Sequence, residues 1–93
     1  MDQQFRDRIQ EAAQLLRKRG ATAVYLFGSV VHGTLREDSD VDLAVTGLPP
    51  EVFFRAMAEA ARIIGRPVDL VALDRDDEVA SSLYRSGELQ RVA

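Results

Sequence analysis

The chain has no cysteine, so disulfides and thiolate metal sites are excluded, in keeping with a reducing compartment. It has no apolar run near the roughly 18 residues that span a bilayer. Its N-terminus, MDQQFRDR, lacks the basic-then-apolar layout of a secretory signal, so the expected location is cytoplasmic. It also lacks a basic excess: 12 Lys and Arg stand against 15 Asp and Glu, a net charge of −3. The arginines are scattered and Lys18 is the only lysine. A duplex-binding surface needs clustered positive charge, so nucleic acid is disfavoured as the main partner. A nucleotide, which needs only a small local positive patch, is not. No linker, repeat or low-complexity stretch divides the 93 residues, and one domain over residues 1–93 is expected.

What is present is an alternation of short elements. Phe5, Ile9, Ala12, Ala13 and Leu16 recur at helical spacing over about residues 3–19, and Gly20 follows Arg17, Lys18 and Arg19 where a helix ends. AVYLF, residues 23–27, and VDLAV, residues 41–45, read as buried strands. LPPE leads into a helix reaching about Ile64, with Val52, Phe53, Ala56, Met57, Ala60, Ile63 and Ile64 on one face. Glu51, Arg55, Glu59 and Arg62 lie opposite at i,i+4 spacing. Gly65 and Pro67 stop that helix. VDLVAL, residues 68–73, is a third strand, a last helix is expected over 78–86, and ELQRVA is expected as an extended tail. The order predicts an α/β (α+β) fold, a small mixed sheet flanked by helices. Sites in such sheets form at strand ends, which is where Gly28-Ser29 falls.

VDLAV carries a single polar residue, Asp42, with Asp40 two positions before it. In a strand, residues i and i+2 share a face about 6.6 Å apart, which puts Asp40 and Asp42 together while Val41, Leu43 and Val45 face the core. Two such carboxylates repel and raise one another's pKa unless a cation lies between them, and Mg²⁺ is the natural hard-oxygen choice. Asp69 occupies the same V-D-L setting; if the two strands are neighbours, it adds a third acid to that face. Each feature alone also suits a bland reading: a solvated strand edge for D-x-D, a plain turn for Asp38-Ser39, a solvated acid for Asp69. Their combination with Gly28-Ser29, whose backbone and hydroxyl suit a phosphate, favours a metal and phosphate site.

Three superficial motifs in the same stretch fail. Gly28 to Thr34 has the glycine spacing of a Walker A loop but lacks its lysine. Asp38, Asp40 and Asp42 open like an EF-hand loop, yet Leu43 and Pro49 stand where glycine and glutamate are required. Ser29 with His32, the only histidine, lacks the G-x-S-x-G elbow of a hydrolase.

Gly28-Ser29, then Asp40-Val41-Asp42-Leu43, with Asp69 on a later strand, resembles the polymerase-β-type nucleotidyltransferase signature. Length and layout resemble the minimal nucleotidyltransferases (MNT), antitoxin partners of HEPN-domain toxins, over nearly the whole chain. The resemblance implies that Asp40, Asp42 and Asp69 form a catalytic, metal-binding triad for two Mg²⁺ ions. It implies that Gly28, Ser29, His32, Gly33 and Ser39 bind the nucleotide, and that Asp69 helps deprotonate an acceptor hydroxyl. His32 departs from the pattern, since many members carry arginine there; a histidine is charged only part of the time near neutral pH, and a plain surface role fits it as well. The implied activity is AMP transfer from ATP to a hydroxyl of a HEPN-type toxin. The chain ends at Ala93 without an added acceptor-recognition domain, so a helical partner chain or a self-dimer is expected to supply that surface. Alternatives are a module that neutralises its partner by contact alone, or a small-molecule nucleotidyltransferase.

Overall fold

The computed structural model describes residues 3–33, 39–75 and 77–93. Residues 34–38, which include the expected turn residue Asp38 and Thr34 of the failed Walker pattern, lie outside the described residues. The elements are α1 (Gln3–Lys18), β1 (Ala23–Phe27), α2 (Ser29–His32), β2 (Val41–Thr46), α3 (Phe53–Ile64), β3 (Val68–Ala72), α4 (Glu78–Ser86) and β4 (Gln90–Arg91). A 3-10 turn, Pro50–Val52, leads into α3.

The sheet runs β3-β2-β1-β4. β1 is antiparallel to β2 and to β4, whereas β2 and β3 are parallel. Parallel neighbours cannot be joined by a tight turn, and α3 is the crossover that connects them. The small mixed sheet flanked by helices expected from the sequence is the architecture observed.

Alternation divides the sheet into two chemically different faces. Val24, Leu26, Val41, Leu43, Val45, Leu70 and Ala72 point toward α1 and α3, packing on Ile9, Ala12, Ala13 and Leu16 and on Phe53, Ala56, Ala60 and Ile64. Leu16, Leu43, Ile64, Val24, Val41 and Val45 are the largest fully buried side chains there. Alanines at 12, 13, 56 and 60 let the two helix backbones come close. Gly65 closes α3 in the left-handed region at φ 80, its N–H donating to the Ala61 carbonyl at 2.8 Å.

The opposite face carries Tyr25, Phe27, Ala44 and Val71, which pack with Leu73, Leu89 and, from α4, Ala80 and Leu83. α4 starts at an Asp77 cap whose Oδ1 accepts the Ala80 N–H at 2.9 Å. Its Val79 and Tyr84 remain exposed, as does Phe54 on α3.

Two sequence expectations change in detail. Glu59 was spaced for i,i+4 pairing within α3, but its carboxylate forks onto Arg19 beyond the end of α1 (Nη2–Oε2 2.7 Å, Nε–Oε1 3.2 Å). The geometry is bidentate, which a guanidinium satisfies better than two separate single contacts. The tail is extended as expected, and it also pairs: Val24 exchanges backbone hydrogen bonds with Val92 and Ala93. Among the described residues, no helix is long and apolar enough to cross a membrane.

Candidate functional site

Asp42 is the second residue of β2, Asp69 the second residue of β3, and the parallel register sets them side by side. The expectation that the two V-D-L strands are neighbours therefore holds. Asp42 also faces Phe27, the last residue of β1, across the antiparallel pair. Asp42 is half-buried and Asp69 exposed. Asp40 sits just before β2 and is exposed. It is near enough to act on Asp42 electrostatically. The Asp42 carboxyl is held above its ordinary range, first by burial, then by the negative charges of Asp69 and Asp40. The three acids thus share one electrostatic environment, with Asp42 at its centre.

β1 ends directly against this group. Gly28 follows Phe27 with φ 74 and ψ −144, a backbone region essentially reserved for glycine. A methyl group built on Gly28 would overlap Asp42 Oδ2 and lie 3.1 Å from Cγ and 3.4 Å from Cβ. The chain then makes the single helical turn α2, in which the Gly28 carbonyl accepts the N–H groups of Val31 (3.1 Å) and His32 (3.2 Å). The first amides of the turn, on Ser29 and Val30, lie outside that bonding, as they do at any helix start. Gly33 ends the turn at φ 73, its N–H donating to the Ser29 carbonyl. Ser39 is half-buried immediately before Asp40.

His32 lies at the far end of the turn, about 6 Å along the helix axis from Gly28. It is exposed, and its Nε2 stands 3.3 Å from Oε1 of Glu88, in the link between α4 and β4. Sequence reasoning missed Glu88: 56 residues separate it from His32, and only the pairing of β4 with β1 brings that link to α2. It also missed α2, since four residues cannot display a helical period.

The donor set has the character that a hard divalent cation requires: carboxylate oxygens that repel one another and, among the described residues, form no ion pair with a cation. Among the described residues, no group of three or more His, Cys, Asp or Glu is placed to hold a metal ion by itself. Mg²⁺ usually takes only one or two carboxylates and completes its shell with substrate phosphates and water. The acids line none of the four surface concavities whose walls are described.

A family profile described as polymerase beta, nucleotidyltransferase, matches residues 10–89. A solved structure described as a minimal nucleotidyltransferase superposes with a TM-score of 0.77 at 30% identity, covering 96% of this chain and 94% of that one. A toxin-antitoxin structure with AMP-PNP gives 0.74 at 26% identity, covering 90% and 72%. The structure of a tri-AMPylated Shewanella oneidensis HEPN toxin in complex with an MNT antitoxin gives 0.68 at 20% identity, covering 96% and 71%, and bears on the fold alone. No curated protein matches the chain in sequence.

Proposed function

The chain belongs to the polymerase beta nucleotidyltransferase family, and on that premise we propose that it transfers AMP from ATP to a hydroxyl of a partner protein. The partner is a HEPN-type toxin and this chain its antitoxin. The supporting likeness is to a toxin-antitoxin structure with AMP-PNP and to a minimal nucleotidyltransferase of nearly the same extent. The observation that carries the reading is the Asp42–Asp69 register at the end of β1, directly against the Gly28-Ser29 turn.

In this reading Asp40, Asp42 and Asp69 hold Mg²⁺ and ATP supplies the nucleotide. Bound Mg²⁺, two ions in the full form, supplies charge neutralisation for the phosphate oxygens and for the raised Asp42 carboxyl. Gly28, Ser29, Gly33 and Ser39 position the triphosphate, with the free amides at the start of α2 as donors. Asp69, the exposed acid, accepts the proton of the acceptor hydroxyl. The acceptor oxygen bonds to the α-phosphorus, the bond to the β-phosphate oxygen breaks, and pyrophosphate leaves. His32 reaches the phosphate tail only by exchanging its contact with Glu88.

Contact neutralisation is the second reading, and the exposed Phe54, Val79 and Tyr84 favour some protein contact in either case. Labelled ATP, Mg²⁺ and the partner distinguish the two. Labelling of the partner that is lost in Asp42→Asn and Asp69→Asn, together with loss of neutralisation, is the expected result. Neutralisation that survives both substitutions refutes the catalytic reading and leaves contact.

A further inference from the structure

The Gly28 position is more specific than a phosphate glycine requires. A glycine that only lets a phosphate approach the backbone needs space on its ligand side. Here the place of the missing side chain is taken by protein, the carboxylate of Asp42. The sheet order gives that contact a direction. β2 lies between β1 and β3, so Asp42 has the end of β1 on one side and Asp69 on the other. Oδ2 lies on the β1 side, under Gly28. Neighbouring strands are only about 4.8 Å apart, so a carboxylate displaced from that seat moves toward a like charge.

We propose that Gly28 is a positioning residue for Asp42: the space left by its absent side chain seats Oδ2 beside the α2 turn and holds the carboxylate off Asp69. The backbone conformation and the seat are coupled. The positive φ that glycine alone tolerates turns the chain so that its bare Cα faces the carboxylate. Gly33, with a similar φ, has nothing described within 4 Å of a built methyl, so the two glycines of the motif do different work. Gly33 ends a turn, whereas Gly28 shapes the acid site. This inference rests on the metal-site reading proposed above, and its test separates the two.

The experiment titrates Mn²⁺, as a probe of the Mg²⁺ site, into nucleotide-free wild type and Gly28→Ala, reading water-proton relaxation. Disturbing residues that orient metal ligands typically weakens binding roughly 10–100-fold, and a loss of that size is expected here. A Gly28→Ala protein that binds Mn²⁺ like wild type overturns the proposal, since a purely phosphate-directed glycine would leave nucleotide-free metal binding alone. Wild type that fails to bind Mn²⁺ refutes the metal-site reading instead. A thermal-melting cycle then still tests the seat. Gly28→Ala should lower the Tm or abolish folding in wild type. In an Asp42→Ala background, where the displaced oxygens are gone, the same change should cost clearly less. Equal losses in both backgrounds mean that backbone strain alone is responsible, and overturn the positioning role.

Discussion

Asp42→Asn should make the metal-free protein more stable at neutral pH, although it removes a proposed catalytic group. Asp42 is a half-buried acid beside Asp69 in register and near Asp40. Taking the two carboxylates about 6 Å apart, Coulomb repulsion is roughly 0.7 kcal/mol at the dielectric of water and about 2.8 kcal/mol at an effective value near 20. Asp69 is exposed and physiological salt screens beyond about 8 Å, which places the effect near the lower figure. The amide also avoids the burial cost of a charge, the largest cause of the raised carboxyl. A net gain of about 1 kcal/mol is expected, or roughly 4–8 °C in Tm for a domain of this size.

The pH dependence follows from the direction of the shift. A carboxyl raised in the folded state favours folding most when it is protonated, and that contribution is lost as pH rises through its folded pKa. The advantage of Asp42→Asn should therefore be full at neutral pH. It should vanish below the ordinary carboxylate range, where the wild-type acid is neutral in both states. The assay is thermal melting in EDTA across pH 3 to 8, beside the same scan with Mg²⁺ and ATP, in which wild type should gain stability and the variant should not. An unchanged or lowered Tm for the metal-free variant at neutral pH would refute the claim that the acids repel one another in this fold.

Leu43→Ala, at a fully buried position between Leu26 and Leu70, should cost about 2–5 kcal/mol, read as a lower urea midpoint at unchanged slope. Asp77→Ala removes the cap of α4 and should cost about 1 kcal/mol, with faster amide exchange confined to that helix. Glu59→Gln should lower the Tm at neutral pH by breaking the fork with Arg19, and the loss should shrink in 1 M salt. Because the Arg19 hydrogen bond holds the Glu59 carboxyl below its ordinary range, that loss should also disappear as pH falls through the folded pKa.

The parts of the molecule legible in the sequence were those whose cause is local and repeated. The apolar periodicities of α1 and α3 and the apolar alternation of β2 are visible because each residue repeats the same instruction. The repeated V-D-L of residues 41–43 and 68–70 brought Asp69 to Asp42 because the two strands do share a register. Other features arise from contacts between distant segments. Gln90 and Arg91 are polar and form a strand only because β1 offers a free edge. The His32–Glu88 contact depends on that pairing, and the Arg19–Glu59 fork on the packing of α1 against α3. The seat under Gly28 joins residues 14 positions apart through the antiparallel turn-back of β1 and β2, and no residue pattern along the chain records it.

The two faces of the sheet also explain how so small a domain can tolerate clustered acids. Side chains alternate, so the pairing of Leu43 with Leu70 in the core and of Asp42 with Asp69 outside it is a single choice of register. A slip of one residue would turn Asp42 and Asp69 into the apolar layer beneath α1 and α3, and Val41, Leu43 and Leu70 out of it. Burial of those apolar residues is worth about 1.5–3 kcal/mol each, more than the screened repulsion between the acids. The core thus holds the carboxylates together against their own repulsion. α4 covers the Tyr25, Phe27, Ala44 and Val71 part of that face, and Asp69 is exposed. The repulsion that remains is free energy that the proposed Mg²⁺ would relieve on binding, so the packing that makes the fold stable is also what the metal-site proposal draws on.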